Sequence, residues 1–177
     1  MKNRHVVIEI RFDRIDIAAC RGNRVVAAQR LPVALTEDAA VWARDLDACV
    51  PLLTAAVKSL DAEGATGDVY VASPTLVAEI ASIAAHSEGM AREAARLACH
   101  ESAAFPHENA TGDAVFIARD KGIGDRKRHF IAAVERDDHA RAVADLVHAA
   151  GLRLRMIGPI DGPSAAEVMQ DSVAAGE

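Results

Sequence analysis

The residues best suited to chemistry are four carboxylates. Glu9 lies in an opening apolar run, Asp13 and Asp16 follow shortly after it, and Asp68 precedes another such run. A strand-borne Glu with acidic neighbours is the donor set that can hold two divalent cations for in-line phosphodiester hydrolysis. The plainer reading makes them turn and strand-end residues facing water. Composition favours the plainer reading, because the chain carries a net charge of −6 and no basic track for a polyanion. The same acidity argues against a nucleic-acid partner.

Other clusters are weaker. Lys121-Gly-Ile-Gly-Asp-Arg-Lys-Arg-His129 is the one basic group, a contact for phosphate or acidic lipid or simply a solvated hairpin tip. It is not a P-loop, since the Gly spacing and the Lys-Ser/Thr ending are wrong. His100 and His107 flank Phe105-Pro106 beside Cys99, but no further ligands follow at a metal spacing. Ser87, Ser102 and Ser164 stand in no nucleophile elbow. Trp42 reads as a core anchor or an edge residue. No catalytic residue, metal site or cofactor is assigned.

The elements that must position these residues have a large apolar supply. At 177 residues and 51% apolar content there is material for a real core. Aromatics are only 3%, so Ala, Val, Leu and Ile must build it. Cys20, Cys49 and Cys99 form no CxxC pair, which fits a reducing, cytoplasmic setting. No signal peptide is expected, because strand-like residues begin at His5. No apolar run approaches the ~20 residues of a membrane span.

His5–Ile10 suits a strand buried on both faces, and Ile15, Ile17 and Ala19 alternate as a second. Gly22-Asn23 is a two-residue hairpin turn leading to a third strand, Val25–Leu31, ended by Pro32. Thr36–Asp47 is ambiguous. Cys49, Leu53, Val57 and Leu60 share a helical face, with Asp47 as the expected N-cap. Val69–Ala72 is a fourth strand. Ser73-Pro74 then opens an inserted module at 74–134: strand Thr75–Ile83, helix Gly89–Ala103, and strands Ala114–Arg119 and Arg128–Val134. In its helix, Met90, Ala94, Leu97 and Ala98 form the expected buried stripe, and Glu88 pairs with Arg92. Strand 128–134, a helix capped by Asp137 and ended by Gly151, and strand 152–157 read as a parallel crossover unit. A further helix is expected over Pro163–Met169.

This ordered pattern resembles the first half of the actin-like proteins of pilus assembly, type II secretion and cell division, the PilM, GspL and FtsA type. The segments that carry the likeness are Val69-Tyr-Val-Ala-Ser-Pro74, Glu93–Pro106, His129–Glu135 through Ala150-Gly-Leu152, and Ile160-Asp-Gly-Pro-Ser-Ala-Ala166. The match spans residues 5–170 as an order of elements, without one specific motif. It implies an α/β fold: a ribonuclease-H/actin-like mixed sheet with an inserted strand–helix–strand–strand subdomain. Residues 1–73 and 135–177 would form subdomain 1A, and 74–134 the inserted, 1C-like subdomain.

Members of that family that bind ATP carry Asp, an aliphatic residue, Gly and then Ser or Thr after the first strand. Here Glu9, Ile10, Arg11 and Phe12 stand in those places, with Asp13 next. Arg and Phe replace the residues that let backbone approach a phosphate. The family's second half, with its other phosphate loop and adenosine pocket, has no counterpart in these residues. The resemblance therefore implies a non-enzymatic cytoplasmic scaffold, peripheral at the inner membrane. It would bind the cytoplasmic segment of an inner-membrane assembly protein near Ser73, Pro74, Pro159 and Asp161, with self-association left open. Two alternatives stand beside it: a fragment of a nucleotide-binding actin-like ATPase or kinase, and a ribonuclease-H-like nuclease, whose opening topology is shared.

Overall fold

The computed structural model describes residues 4–85, 87–119 and 127–160. In chain order the elements are β1 (Arg4–Ile10), β2 (Arg14–Arg21), β3 (Arg24–Pro32), α1 (Trp42–Asp47), α2 (Val50–Ser59) and β4 (Thr66–Val71). They continue with β5 (Val77–Ala84), α3 (Glu88–Glu101), β6 (Ala110–Arg119), β7 (Lys127–Arg136), α4 (Asp137–Ala149) and β8 (Arg153–Pro159). Two compact units result. The first runs through Pro74 and resumes at His139; the second is Thr75–Asp138.

The first unit holds a mixed sheet in the order β3-β2-β1-β4-β8. β1–β2 and β2–β3 are antiparallel, while β1–β4 and β4–β8 are parallel. Val6, Ile8 and Ile10 of β1 are fully buried, and Ile15, Ile17 and Val69 join them from the neighbouring strands. On the other face Glu9 is also buried, while His5 and Val7 are half-buried. Arg21 pairs with Arg24 across the two-residue turn. Gly22 sits at φ +58° and Asn23 does not share the positive φ, which is the type II′ arrangement rather than the type I′ one.

The helix expected from Asp47 begins at Val50 as α2, and another helix precedes it. Trp42 and Leu46, fully buried at i and i+4, fold α1 out of the ambiguous stretch. Asp47 is the last residue of α1, not a cap. Cys49 takes the N-cap position of α2 without a side-chain cap, and Pro51 lies in the first turn, where a missing N–H costs nothing. At the end of α4, Gly151 adopts φ +83°. The Leu152 and Gly151 amides donate to the Val147 and His148 carbonyls, closing a Schellman motif.

The second unit is an antiparallel sheet, β5-β7-β6, with α3 on one face. β7 and β8 therefore lie in different sheets, and β7–α4–β8 is not a crossover unit. β7 is the centre strand between β5 and β6, and β8 finds its parallel partner in β4. The buried stripe of α3 also differs from the expected one. It is Ala91, Ala95 and Cys99, while Met90 is 61% and Leu97 46% exposed. Small residues let the helix lie close on Phe130, Ala132 and Val134 of the sheet. Ser87 caps the helix by accepting from the Met90 amide at 3.2 Å, and its ion pair is Glu93–Arg96 rather than Glu88–Arg92. The segment 120–126, the center of the basic cluster, and the helix expected over Pro163–Met169 lie outside the described residues.

His100, at the end of α3, makes this unit sensitive to acid. Burial pushes its pKa below the ordinary value. The Arg96 guanidinium, donating to Nε2 at 2.9 Å, and the His107 ring 4.9 Å away push the same way. The folded value lies below the unfolded one of about 6.5, so the unfolded state takes up the proton first. Stability is full above that pH and falls as pH drops through the folded pKa. Amide protection in β5–β7 is expected to weaken as pH falls below about 6.5, and His100→Gln to flatten that dependence. An unchanged slope in the variant would assign the acid sensitivity to other groups.

Candidate functional site

Because β1, β4 and β8 run parallel, their C-terminal ends share one rim of the sheet. Such rims are where open α/β sheets place ligands. β1 leads there into the turn Arg11–Asp13, β4 into Ala72, Ser73 and Pro74, and β8 ends at Pro159. The Ala72 amide donates to the Ile10 carbonyl at 2.8 Å, and the Ile160 amide to the Val71 carbonyl at 3.3 Å. The structure thus brings Glu9, Arg11, Phe12 and Asp13 to the same edge as Ser73, Pro74 and Pro159. Asp161 lies outside the described residues.

The turn is closed on itself. The Arg11 amide donates to the Arg14 carbonyl at 2.8 Å. The Phe12 carbonyl accepts from Leu35 at 2.7 Å and the Asp13 carbonyl from Val33 at 3.1 Å, fastening the turn to the chain beyond β3. Glu9 lies beneath, buried, and its carboxylate takes the Arg11 guanidinium. A phosphate cradle needs free amides and space for backbone approach; this turn offers a committed amide, a buried carboxylate and two bulky side chains.

Each of the four carboxylates faces a cation. Asp13 meets Arg14; Asp16 meets Arg14 at 3.0 Å and Arg30 at 2.7 Å. Asp68 accepts from Arg155 Nε at 2.6 Å and lies 3.1 Å from His5. Burial alone would raise the pKa of Asp16, but the hydrogen bonds from Arg30 and Arg14 outweigh it and hold the carboxyl below its ordinary value. Glu9, Asp16 and Arg30 border an open depression of ≈ 310 Å³ on the sheet face. Among the described residues no three His, Cys, Asp or Glu side chains are placed to hold a metal ion. Ser87 is a helix cap and Ser102 lies beside Glu79, while Ser164 falls outside the described residues.

Sequence reasoning missed the rim's fastening. From sequence Trp42 is a core anchor or an edge residue in an ambiguous stretch, with nothing to tie it to His139. In the structure His139 is fully buried, its Nε2–H donates to the Ala39 carbonyl at 2.9 Å, and its Nδ1 faces the Ser73 hydroxyl at 3.1 Å. Its ring lies 4.8 Å from that of Trp42. No local signal could have found this, since Ser73 and His139 are 66 positions apart. In the second unit the Thr75 hydroxyl donates to Glu135 in the same manner. Each unit therefore holds its own ends of the two connecting passages together.

No protein-family model matches the chain, and no curated protein matches it in sequence. Solved structures do match. A PilM–PilN type IV pilus biogenesis complex aligns at a TM-score of 0.70 and 12% identity, over 88% of this chain and 47% of the matched one. The cytoplasmic domain of EpsL, an inner-membrane component of the type II secretion system of Vibrio cholerae, aligns at 0.52 and 11% identity, over 88% and 57%. A Bacteroides thetaiotaomicron protein with an actin-like ATPase fold and unknown function aligns at 0.49 and 11% identity, over 88% and 52%. The chain spans about half the length of the structures it matches. The fold is α/β, a ribonuclease-H/actin-like mixed sheet with an inserted strand–helix–strand–strand unit. No helix among the described residues is long and apolar enough to cross a membrane.

Proposed function

We propose that this chain is a partner-binding scaffold rather than an enzyme. It serves the cytoplasmic face of a type IV pilus or type II secretion assembly platform and takes the cytoplasmic segment of an inner-membrane protein. The observation that carries this is the turn Arg11–Asp13, closed by its own hydrogen bonds over a buried, arginine-paired Glu9. The engaged Arg11 amide and the Arg11–Glu9 pair weigh against a phosphate at the end of β1. The two assembly-platform structures of like fold support the rest of the reading. The partner site is placed at Ser73, Pro74 and Pro159, with Asp161 beside them in sequence, on the rim where parallel strands end.

The test has two arms. Magnesium-ATP is titrated into the chain while heat and melting temperature are followed. A ligand at 100 times its dissociation constant stabilises a fold by ~2.7 kcal/mol, so the expected absence of both heat and shift is easily read. Binding would instead group the chain with nucleotide-binding actin-like proteins. In the second arm a photo-crosslinking residue replaces Ser73 or Pro159 in cells. The expected adduct is the cytoplasmic segment of an inner-membrane assembly protein, and adducts confined to soluble proteins would overturn the placement.

A further inference from the structure

The sheet edges differ in how they are protected. An open strand edge invites pairing with another chain, and proteins commonly blunt it with charges, proline or a bulge. β3 carries Arg24, Arg30 and Pro32. β8 carries Arg153, Arg155 and Pro159 and is irregular opposite Gly67/Asp68. β6 carries Asp113 and a bulge between Phe116 and Ala118. β5, Val-Ala-Glu-Ile-Ala-Ser-Ile-Ala, has no proline, no bulge and no basic residue. It pairs with β7 over eight consecutive residues without a register shift. Its one charge, Glu79, lies on the helix side beside Ser102. Among the described residues the far side of β5 has no strand or loop bonded to it.

The sheet face away from α3 adds a second feature. Ile80 on β5, Ile131 on β7 and Val115 on β6 are direct cross-strand neighbours in one row. Ile80 is 73% and Val115 63% exposed. The row runs straight to the open edge and ends there in its most exposed member.

We propose that β5 is a self-pairing edge, and that two copies of this chain join antiparallel through it into a six-stranded sheet. The sequence of β5 suits a two-fold axis at Ile80. Ile80 then faces Ile80 of the second copy, Ala78 faces Ser82, and Glu79 faces Ala81, so no like charges stand directly opposite. The exposed row of three apolar residues becomes a row of six, and the open main-chain groups at the centre of the edge gain partners. Any strand can use free main-chain groups; this two-fold match of side chains is what selects a second copy.

The register gives a charge-swap test, because Ala78 and Ser82 are exposed and face each other only across the axis. Sedimentation equilibrium of the 177-residue chain should show a monomer–dimer equilibrium. The double substitution Ala78→Lys with Ser82→Lys places like charges opposite twice and should weaken the dimer at least about tenfold. Ala78→Lys with Ser82→Glu places opposite charges there and should keep it, although both variants lose the Ser82–His129 contact. A monomeric parent, an undiminished dimer in the first variant, or a monomer in the second would each overturn the proposal.

Discussion

Phe130→Ala is expected to destabilise the second unit by about 4 kcal/mol, the middle of the range for a buried aromatic cut to alanine. Phe130 lies on the centre strand and is fully buried. The rest of its buried cluster is Ala91, Ala95, Cys99, Ala114, Ala132 and Val134, with Val77, Ile83 and Phe105 packed against it, and Phe130 is its largest fully buried side chain. Phe116 meets it edge-on at 5.8 Å, a contact worth about 1 kcal/mol beyond burial. The alanines among its neighbours have no side-chain freedom with which to collapse into the void. Ile131→Ala, one residue on and facing away from α3, is the matched control at about 1 kcal/mol. The single Trp and single Tyr both lie in the first unit, so amide exchange in β5–β7 is the readout. Equal losses for the two variants would mean that the cluster does not hold the sheet.

That asymmetry explains why the packing of α3 was hard to read. By apolar periodicity Met90 and Leu97 outrank Ala91 and Ala95, and a reading from sequence gives the larger residues to the core. Here the ring of Phe130 comes from the sheet side, and only small residues on the helix leave space for it. The size of a helix's core residues is set by its partner, which sequence distance conceals. α1 was concealed differently, since one i,i+4 pair, Trp42 and Leu46, is too little periodicity to see in a polar stretch. The opening hairpin was legible because Gly22-Asn23 fixes register locally, and the end of α4 because Gly151 alone allows its φ. The separation of β7 from β8 was not legible, since local pattern cannot say which sheet a strand joins.

The rim was half legible. Glu9 and Arg11 are two apart on an extended segment and therefore share a face, so their ion pair could have been foreseen from spacing. The closing bonds from Val33 and Leu35 could not, because they depend on where the chain turns after β3. Those bonds matter for the chemistry. Small residues at Arg11 and Phe12 would match the ATP-binding actin-like pattern at those two positions, while the carbonyl bonds would still hold the turn to the following segment.

His139→Ala is expected to cost the first unit about 3 kcal/mol, from a lost ring contact, two lost hydrogen bonds and a partly filled void. The side chain is fully buried and reaches three separate segments: Ala39 before α1, Trp42 within it, and Ser73 after β4. Its removal leaves the buried ends of these segments without a common partner. Ser73→Ala, which deletes only the hydroxyl, should cost about 1 kcal/mol. Trp42 is the sole tryptophan and lies against the imidazole, so its fluorescence reports both the unfolding midpoint and the local change. A shift in emission with a loss below that of Ser73→Ala would show that Trp42 repacks and that the rim is held by other groups. With the full loss, crosslinking from position 159 in the folded variant separates stability from binding. Pro159 ends the strand beside β4 and makes none of the His139 contacts, so its adduct should survive if the partner grips the β8 end of the rim. It should vanish if the partner needs the Ser73-Pro74 passage held in the conformation that His139 sets.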